Sequence, residues 1–231
     1  MTIPGTRFPT TQWESWRRDF DRVRRSLMHL GGKRVLHRAH QESLQRHQIR
    51  AGTAIVHRWL LDNYADSVLM ALRRLLDRSR GSFSLVKLLE EVAQQHSLLT
   101  FDRYRELLGE LGEGKDALFP KMLWSRFSAD GRTLDRRRIH ADIERLRTDH
   151  QTVLEFIDTV VAHRQNPSAT DLSEGLSKEI DWPDLDRLFD DVTTLFNQYY
   201  SLVNPGVHVD FAPVLPAGYQ RAFDLMMAHD G

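Results

Sequence analysis

The segment DTVVAHRQNP, residues 158–167, places a histidine and an arginine where a helical pattern ends. A histidine that titrates near neutral pH can take a proton from a ribose 2′-hydroxyl. A neighbouring arginine can stabilise the charge that develops on the phosphate. His163 and Arg164 therefore have the chemistry of metal-independent RNA cleavage. Asp158 is a further candidate catalytic residue, and its reach to His163 depends on how the helix end unwinds. The helix dipole also favours both cations at this end, so a structural role stays open.

One long helix, about 133–164, must position these residues. Its apolar residues recur at steps of three, four or seven, the pattern of a helix with one buried face: Ile139, Ile143, Leu146, Val153, Ile157 and Val160. Counted at ~100° per residue, Ile157 lies at the centre of this stripe and His163 lies about 120° away on its flank. A second long helix begins after Asp181, has Pro183 in its first turn and ends before Asn204-Pro205-Gly206.

The rest of the chain is also helical in pattern, with no alternating strand. Helices are predicted at about 10–30, which Gly31-Gly32 should end, and at about 34–49 and 53–78. We predict an all-α bundle of about seven to nine helices with the two long C-terminal helices as its spine. Residues 1–231 are predicted to form one domain. Within it, residues 1–50 are basic helices and residues 133–203 form the hairpin that carries the motif.

Charge is unevenly distributed although the net charge is zero. Residues 1–60 carry 12 Lys and Arg against 4 Asp and Glu, whereas residues 166–231 carry 3 against 11. A basic N-terminal third could face phosphates. It could equally dock on the acidic C-terminal third, within the chain or across a dimer.

The composition excludes several classes of protein. There are no cysteines, which excludes disulfides, a thiol nucleophile and thiolate zinc sites. His37 and His40 share a helix face but have no evident third ligand, so we expect solvent-exposed histidines, no metal and no cofactor. No apolar run approaches the ~20 residues that span a bilayer, and we expect a cytoplasmic protein with no membrane contact.

Two stretches carry a family resemblance. FIDTVVAHRQ at 156–165 closes one long helix and precedes another, and LLDNYADSVLMALRRLLDRSRGSFSLVKLLEEV spans 60–92. Both resemble the HEPN superfamily, and within it the family of abortive-infection U-type (AbiU-like) bacterial proteins. The resemblance covers about half the chain. It implies an α-helical bundle that often dimerises through the motif-bearing helices, and active members are metal-independent ribonucleases that serve as toxins or phage-defence effectors.

The chain departs from the superfamily motif, an arginine followed by four to six residues and a histidine. His163 matches the histidine, but the three possible arginine positions hold Phe156, Ile157 and Asp158. The cation could instead come from Arg164 or from the pair Arg73-Arg74, for which the alternative is a pair of solvated helix arginines.

Three functions follow. The first, which we favour, is a catalytically degenerate HEPN protein of defence or stress type that binds RNA, a nucleotide or a protein partner such as an antitoxin. We expect this protein to be a homodimer. The second is a metal-independent endoribonuclease that uses His163. The third is a purely structural or interaction protein. Whether the chain is an enzyme stays open, because losing a transition-state cation costs orders of magnitude in rate.

Overall fold

A computed structural model describes residues 9–46, 54–79, 81–110, 118–165, 182–212 and 218–228. Those residues form nine α-helices: α1 Thr10–Arg46, α2 Ala54–Leu76, α3 Leu85–Gln94, α4 Phe101–Glu110, α5 Leu118–Trp124, α6 Arg136–Asp149, α7 Gln151–Gln165, α8 Trp182–Val203 and α9 Gly218–Ala228. The prediction of an all-α bundle is confirmed. Over the same ranges the only β-type pairing is an isolated bridge between Thr100 and Thr133. None of the helices described is both long enough and apolar enough to cross a bilayer.

The chain divides into two compact units. The first comprises residues 1–23 and 74–209, and the second comprises residues 24–73 and 210–231. The second unit is therefore built from two stretches that are far apart in the sequence. The single domain expected over residues 1–231 stays a prediction, and each unit is described by itself below.

The core of the first unit forms on α8, as its apolar spacing predicts. All six stripe residues of α8 are buried: Leu185, Leu188, Val192, Leu195, Phe196 and Tyr199. The ring of Phe196 meets Phe20 of α1 edge-on, with 6.0 Å between centroids. The α6 residues of the second predicted stripe, Ile139, Ile143 and Leu146, are buried too. Both long C-terminal segments therefore use the predicted faces, each buried side chain contributing about 1.5–3 kcal/mol.

The prediction that Gly31-Gly32 ends the first helix is wrong. Helix α1 continues through both glycines to Arg46. Glycine is unfavourable inside a helix, and a reason for it here is packing. In the second unit the backbone carbonyl of Phe211 lies where the Cβ of a larger residue at position 31 would be. The glycine therefore permits a close backbone approach rather than a turn.

The predicted single helix at about 133–164 is also wrong, because it is two helices. α6 ends at Asp149, His150 is its C-cap with φ −119° and ψ 20°, and α7 starts at Gln151. The apolar stripe survives the break, since Val153 and Ile157 are buried. No glycine or proline marks the position, so local sequence signals could not place the break.

Short polar residues and glycine set two of the boundaries between helices. Ser84 caps α3, its hydroxyl oxygen accepting a hydrogen bond from the Lys87 amide at 3.1 Å. Gly131 adopts φ +72° in the turn before α6, a conformation that favours glycine. In the same turn Asp130 accepts hydrogen bonds from the amides of Arg132 and Thr133, which lower the pKa of its carboxyl. Short polar side chains and glycine act through a few neighbouring residues, which makes these sites readable from sequence.

Candidate functional site

Helix α7 carries the predicted catalytic residues. Ile157, which occupies a possible motif-arginine position, is only 1% exposed and belongs to the core. Asp158 is exposed. His163 and Arg164 lie in the last turns of α7, and their side chains are outside the described residues. An arginine at position 157 would thus need a buried site, and the catalytic roles of Asp158 and His163 stay predictions.

The second predicted cation source lies at the end of α2. Arg74 is exposed and Arg73 is half-buried. Arg74 belongs to the first unit and Arg73 to the second. The nearby carboxylate of Asp77 accepts hydrogen bonds from the backbone amide and the hydroxyl of Ser79, at 2.8 and 2.7 Å. Asp77 thereby shapes the turn after α2, and RNA or nucleotide binding by Arg73 and Arg74 stays a prediction.

A buried polar network joins α6 to α8 in the first unit. Asp142, 8% exposed, accepts hydrogen bonds from the Tyr199 hydroxyl at 2.7 Å and the Gln198 amide at 2.8 Å. Its other oxygen accepts from Arg145 at 3.0 Å. Burial and the bond to Asp142 raise the pKa of Tyr199 above its ordinary range. Both oxygens of Asp142 are thus occupied by protein donors, which indicates a structural role.

The break between α6 and α7 creates a histidine–carboxylate pair. His150 is 6% exposed, and its Nε2 lies 2.7 Å from an Asp191 carboxylate oxygen on α8. A carboxylate held this way fixes the orientation of the imidazole ring. Two adjoining cavities of about 210 and 410 Å³ share Asp149 and Asp191 in their linings. His150 lines the larger and Arg145 the smaller.

Sequence reasoning missed this pair, although a signal was present. Arg145 and His150 are separated by four residues, a spacing that fits the arginine–histidine motif of the resemblance. The two side chains have separate partners, however, because Arg145 contacts Asp142 and His150 contacts Asp191.

The charge around the two cavities decides what they can bind. Their linings contain more aspartates than arginines: Asp142, Asp149, Asp184 and Asp191 against Arg145 and Arg187. Arg187 is itself paired with Asp184 at 2.6 Å. Such a surface repels phosphate, so this cleft is a poor site for RNA.

The exposed cations concentrate instead on α1. Five basic side chains recur at steps of three or four, and all are exposed: Arg18, Arg22, Arg25, His29 and Lys33. At ~100° and ~1.5 Å per residue they fall within an arc of roughly 80° and span roughly 22 Å. We call this set the α1 basic face. Asp21, which precedes Arg22 in the sequence, accepts a hydrogen bond from the Tyr200 hydroxyl at 3.1 Å.

The second unit contains a buried histidine pair, contrary to the expectation that His40 is exposed. His40 Nε2 lies 2.9 Å from His57 Nδ1, and both residues are 3% exposed. The His40 ring also contacts Phe223, with 5.3 Å between centroids. Nearby, Asp224 accepts a hydrogen bond from Ser43. Burial lowers the pKa of both histidines, and the charge of His57 further lowers the pKa of His40.

This pair predicts a pH-dependent stability for the second unit. The folded-state pKa values lie below the ordinary value of 6.5, so the unfolded chain binds protons more readily. The stabilisation is complete above pH 6.5 and is lost as the pH falls through the folded-state values. We expect hydrogen exchange of α2 and α9 amides to accelerate on acidification, after correction for the intrinsic pH dependence. The variant His40→Phe/His57→Phe should show a weaker pH dependence, and an unchanged one would contradict this role.

The described residues offer no evident metal site. Over those ranges no group of three or more His, Asp or Glu side chains is placed to hold an ion. His37 stacks on Tyr64 with 4.0 Å between centroids, and His40 pairs with His57. The two histidines that share a face of α1 therefore have separate partners in α2.

The described residues define an all-helical protein in which α7 carries the motif histidine, His163, without an arginine at any of the three positions that the motif allows. A family model, AbiU2 of the HEPN group, matches residues 22–222. The chain therefore belongs to the AbiU2 family of HEPN proteins, which indicates a defence protein of the abortive-infection type. No curated protein and no solved structure matches the chain.

Proposed function

We propose that this protein acts in abortive-infection defence by binding RNA through the α1 basic face, with its HEPN catalytic motif degenerate. The single observation that carries the proposal is the alignment of Arg18, Arg22, Arg25, His29 and Lys33, all exposed, along one helix. Phosphate neutralisation by such cations dominates the affinity of proteins for nucleic acids.

Two features of α1 support RNA rather than a small nucleotide as the ligand. The α1 basic face is an open row about four turns long, which suits a chain of phosphates better than a single phosphate group. Arg22 also lies over the Phe83 ring at 4.2 Å, which places its guanidinium against an apolar support. The acidic cleft between α6, α7 and α8 does not compete as an RNA site, because aspartates outnumber arginines in its lining.

Salt dependence tests this function. We expect fluorescence anisotropy with a short, unstructured labelled RNA to show an affinity that falls steeply between about 50 and 200 mM salt. The double variant Arg18→Gln/Arg25→Gln removes two phosphate contacts. It should weaken binding about tenfold or more at low salt and reduce the slope of log K against log salt by about 1.4.

The matched control removes two positive charges that lie outside α1. Arg105 and Arg187 are exposed and paired with Asp102 and Asp184, at 3.6 and 2.6 Å. Arg105→Gln/Arg187→Gln makes the same change in net charge but should leave the salt slope unaltered. Equal losses in the two double variants would show that binding depends only on net charge and would refute the proposal.

The His163→Ala variant separates binding from cleavage. In metal-free buffer with chelator, we expect wild-type protein to leave labelled RNA intact, and His163→Ala to bind with unchanged affinity. Chelator-insensitive cleavage to 2′,3′-cyclic phosphate ends that is lost in His163→Ala would instead establish the ribonuclease function. The cation would then come from Arg164, Arg73 or Arg74. The antitoxin-type partner and the cytoplasmic location stay predictions from sequence.

A further inference from the structure

Most of the large apolar side chains that are exposed in the described residues belong to the second unit. Seven are exposed in the described part of the chain, and five of them lie in this unit: Ile55, Val56 and Trp59 on α2, and Tyr219 and Leu225 on α9. Ile55 is 76% exposed and Trp59 62%. The apolar residues of α2 therefore differ in burial along the helix: those near its N-terminal end are exposed, whereas Leu69, Leu72 and Leu76 are buried. Apolar side chains gathered on one surface mark protein interfaces.

The buried histidine pair shows that α2 and α9 both pack on α1. His57 of α2 and Phe223 of α9 each contact the ring of His40, with centroid distances of 5.1 and 5.3 Å. The three exposed residues of α2 lie within five positions of one another at its N-terminal end and form the larger part of the exposed apolar set.

We propose that the exposed apolar surface of α2 docks a second copy of the chain. The charges on α2 favour self-association. Arg58 and Asp62 are 85% and 71% exposed and flank Trp59, with 4.0 Å between Arg58 Nε and an Asp62 carboxylate oxygen. At ~100° per residue, Ile55, Trp59 and Asp62 lie within an arc of roughly 60°.

A two-fold axis near Leu60 makes this pattern complementary to itself. Two helices related by this axis run antiparallel, so a residue two positions before Leu60 in one copy faces the residue two positions after Leu60 in the other. Arg58 of each copy therefore faces Asp62 of the other. The same register brings the two Trp59 side chains together beside the axis. This single register pairs Arg58 with Asp62 across the interface and buries both Trp59 side chains, as a closed dimer interface requires.

The same features disfavour RNA on this surface. Arg58 is balanced by Asp62, so the exposed part of α2 offers no excess of cations to phosphates. The inference rests on residues outside the α1 basic face and is independent of the proposed RNA binding. It also differs from the dimer that the family resemblance implies, which would use the motif-bearing helices.

Reversing the charges at Arg58 and Asp62 tests the proposed dimer. The molar mass of the purified full-length protein is measured by light scattering. Wild type should be a dimer. Arg58→Asp alone and Asp62→Arg alone each place like charges opposite one another and should weaken the dimer about tenfold or more. An equimolar mixture of the two variants should form a heterodimer, because every facing pair is then opposite in charge. A restored ion pair within one helix cannot explain heterodimer formation, because each variant keeps like charges at positions 58 and 62 of its own α2.

A second variant and a control complete the experiment. Trp59→Ser should weaken the dimer at least about thirtyfold, the scale of a tryptophan at the centre of an interface. Met122→Asp alters an apolar residue of the first unit that is 55% exposed and should leave the dimer intact. A monomeric wild type, a dimer that survives both charge reversals, or a mixture that stays monomeric would each overturn the proposal.

Discussion

Replacing Gly31 by alanine should destabilise the second unit by about 3 kcal/mol or more, a larger penalty than most overpacked cores show. Gly31 is buried within α1, and an added Cβ would overlap the carbonyl oxygen of Phe211 and lie 2.9 Å from its carbonyl carbon. The obstacle is backbone, which cannot rotate away as a flexible side chain can. Phe211 is itself buried, so the segment can yield only by giving up core contacts.

Gly109 provides a matched control for that substitution. It also lies in a helix, α4, but no atom lies within 4 Å of the position its Cβ would occupy. Gly109→Ala should therefore be neutral or stabilise the protein by up to about 0.5 kcal/mol, less than the gain in a helix interior, because Gly109 lies in the last turn of α4. Thermal denaturation followed by circular dichroism, with hydrogen exchange to locate the effect, measures both changes. If Gly31→Ala were also neutral or stabilising, the close approach of Phe211 would not exist in solution.

The second large effect is expected at Asp142. Asp142→Ala should lower the free energy of unfolding of the first unit by about 3 kcal/mol, because it leaves the buried Tyr199 hydroxyl without its acceptor and releases Gln198 and Arg145. For a chain of this size the loss corresponds to a decrease in Tm of roughly 6–12 °C.

Two further substitutions isolate the cause. Tyr199→Phe removes the donor rather than the acceptor and should cost only about 1 kcal/mol. Asp149→Ala removes an exposed carboxylate at the C-terminal end of the same helix, where the dipole disfavours it, and should change stability by less than about 0.5 kcal/mol. Equal effects at Asp142 and Asp149 would mean that the network contributes no more than a surface charge does.

Most of the helical architecture could be predicted from the sequence, because apolar periodicity reports directly on the buried face. The apolar stripes of α6 and α8 are as predicted. Each depends on residues within a few positions of one another. The two wrong boundaries have a different origin. Whether Gly31 ends a helix depends on Phe211, and the capping geometry of His150 is accompanied by its contact with Asp191, so both involve residues distant in the sequence.

The candidate sites were harder to predict for the same reason. The excess of basic residues in the N-terminal part of the chain was evident, but composition does not show which of them share an exposed face of α1. Lys33 joins that face only because α1 continues past its glycines. His40 was expected in solvent, and its burial depends on His57 and Phe223, which come from two other helices. The exposure of Ile55 and Trp59 could not be predicted either, because helical spacing identifies an apolar face without showing what covers it.

The divided second unit has a consequence for folding during synthesis. Its helices α1 and α2 leave the ribosome early, but Phe211, Phe223 and Asp224 emerge only after the whole of the first unit has been made. The hydrogen bond from Ser43 to Asp224 joins residues 181 positions apart. Contacts of such high sequence separation form late, because the entropy of closing the chain must be overcome first. Until then the α1 residues Gly31, His40 and Ser43 lack these partners, and this interval is when the nascent chain is most exposed to aggregation or to capture by a chaperone.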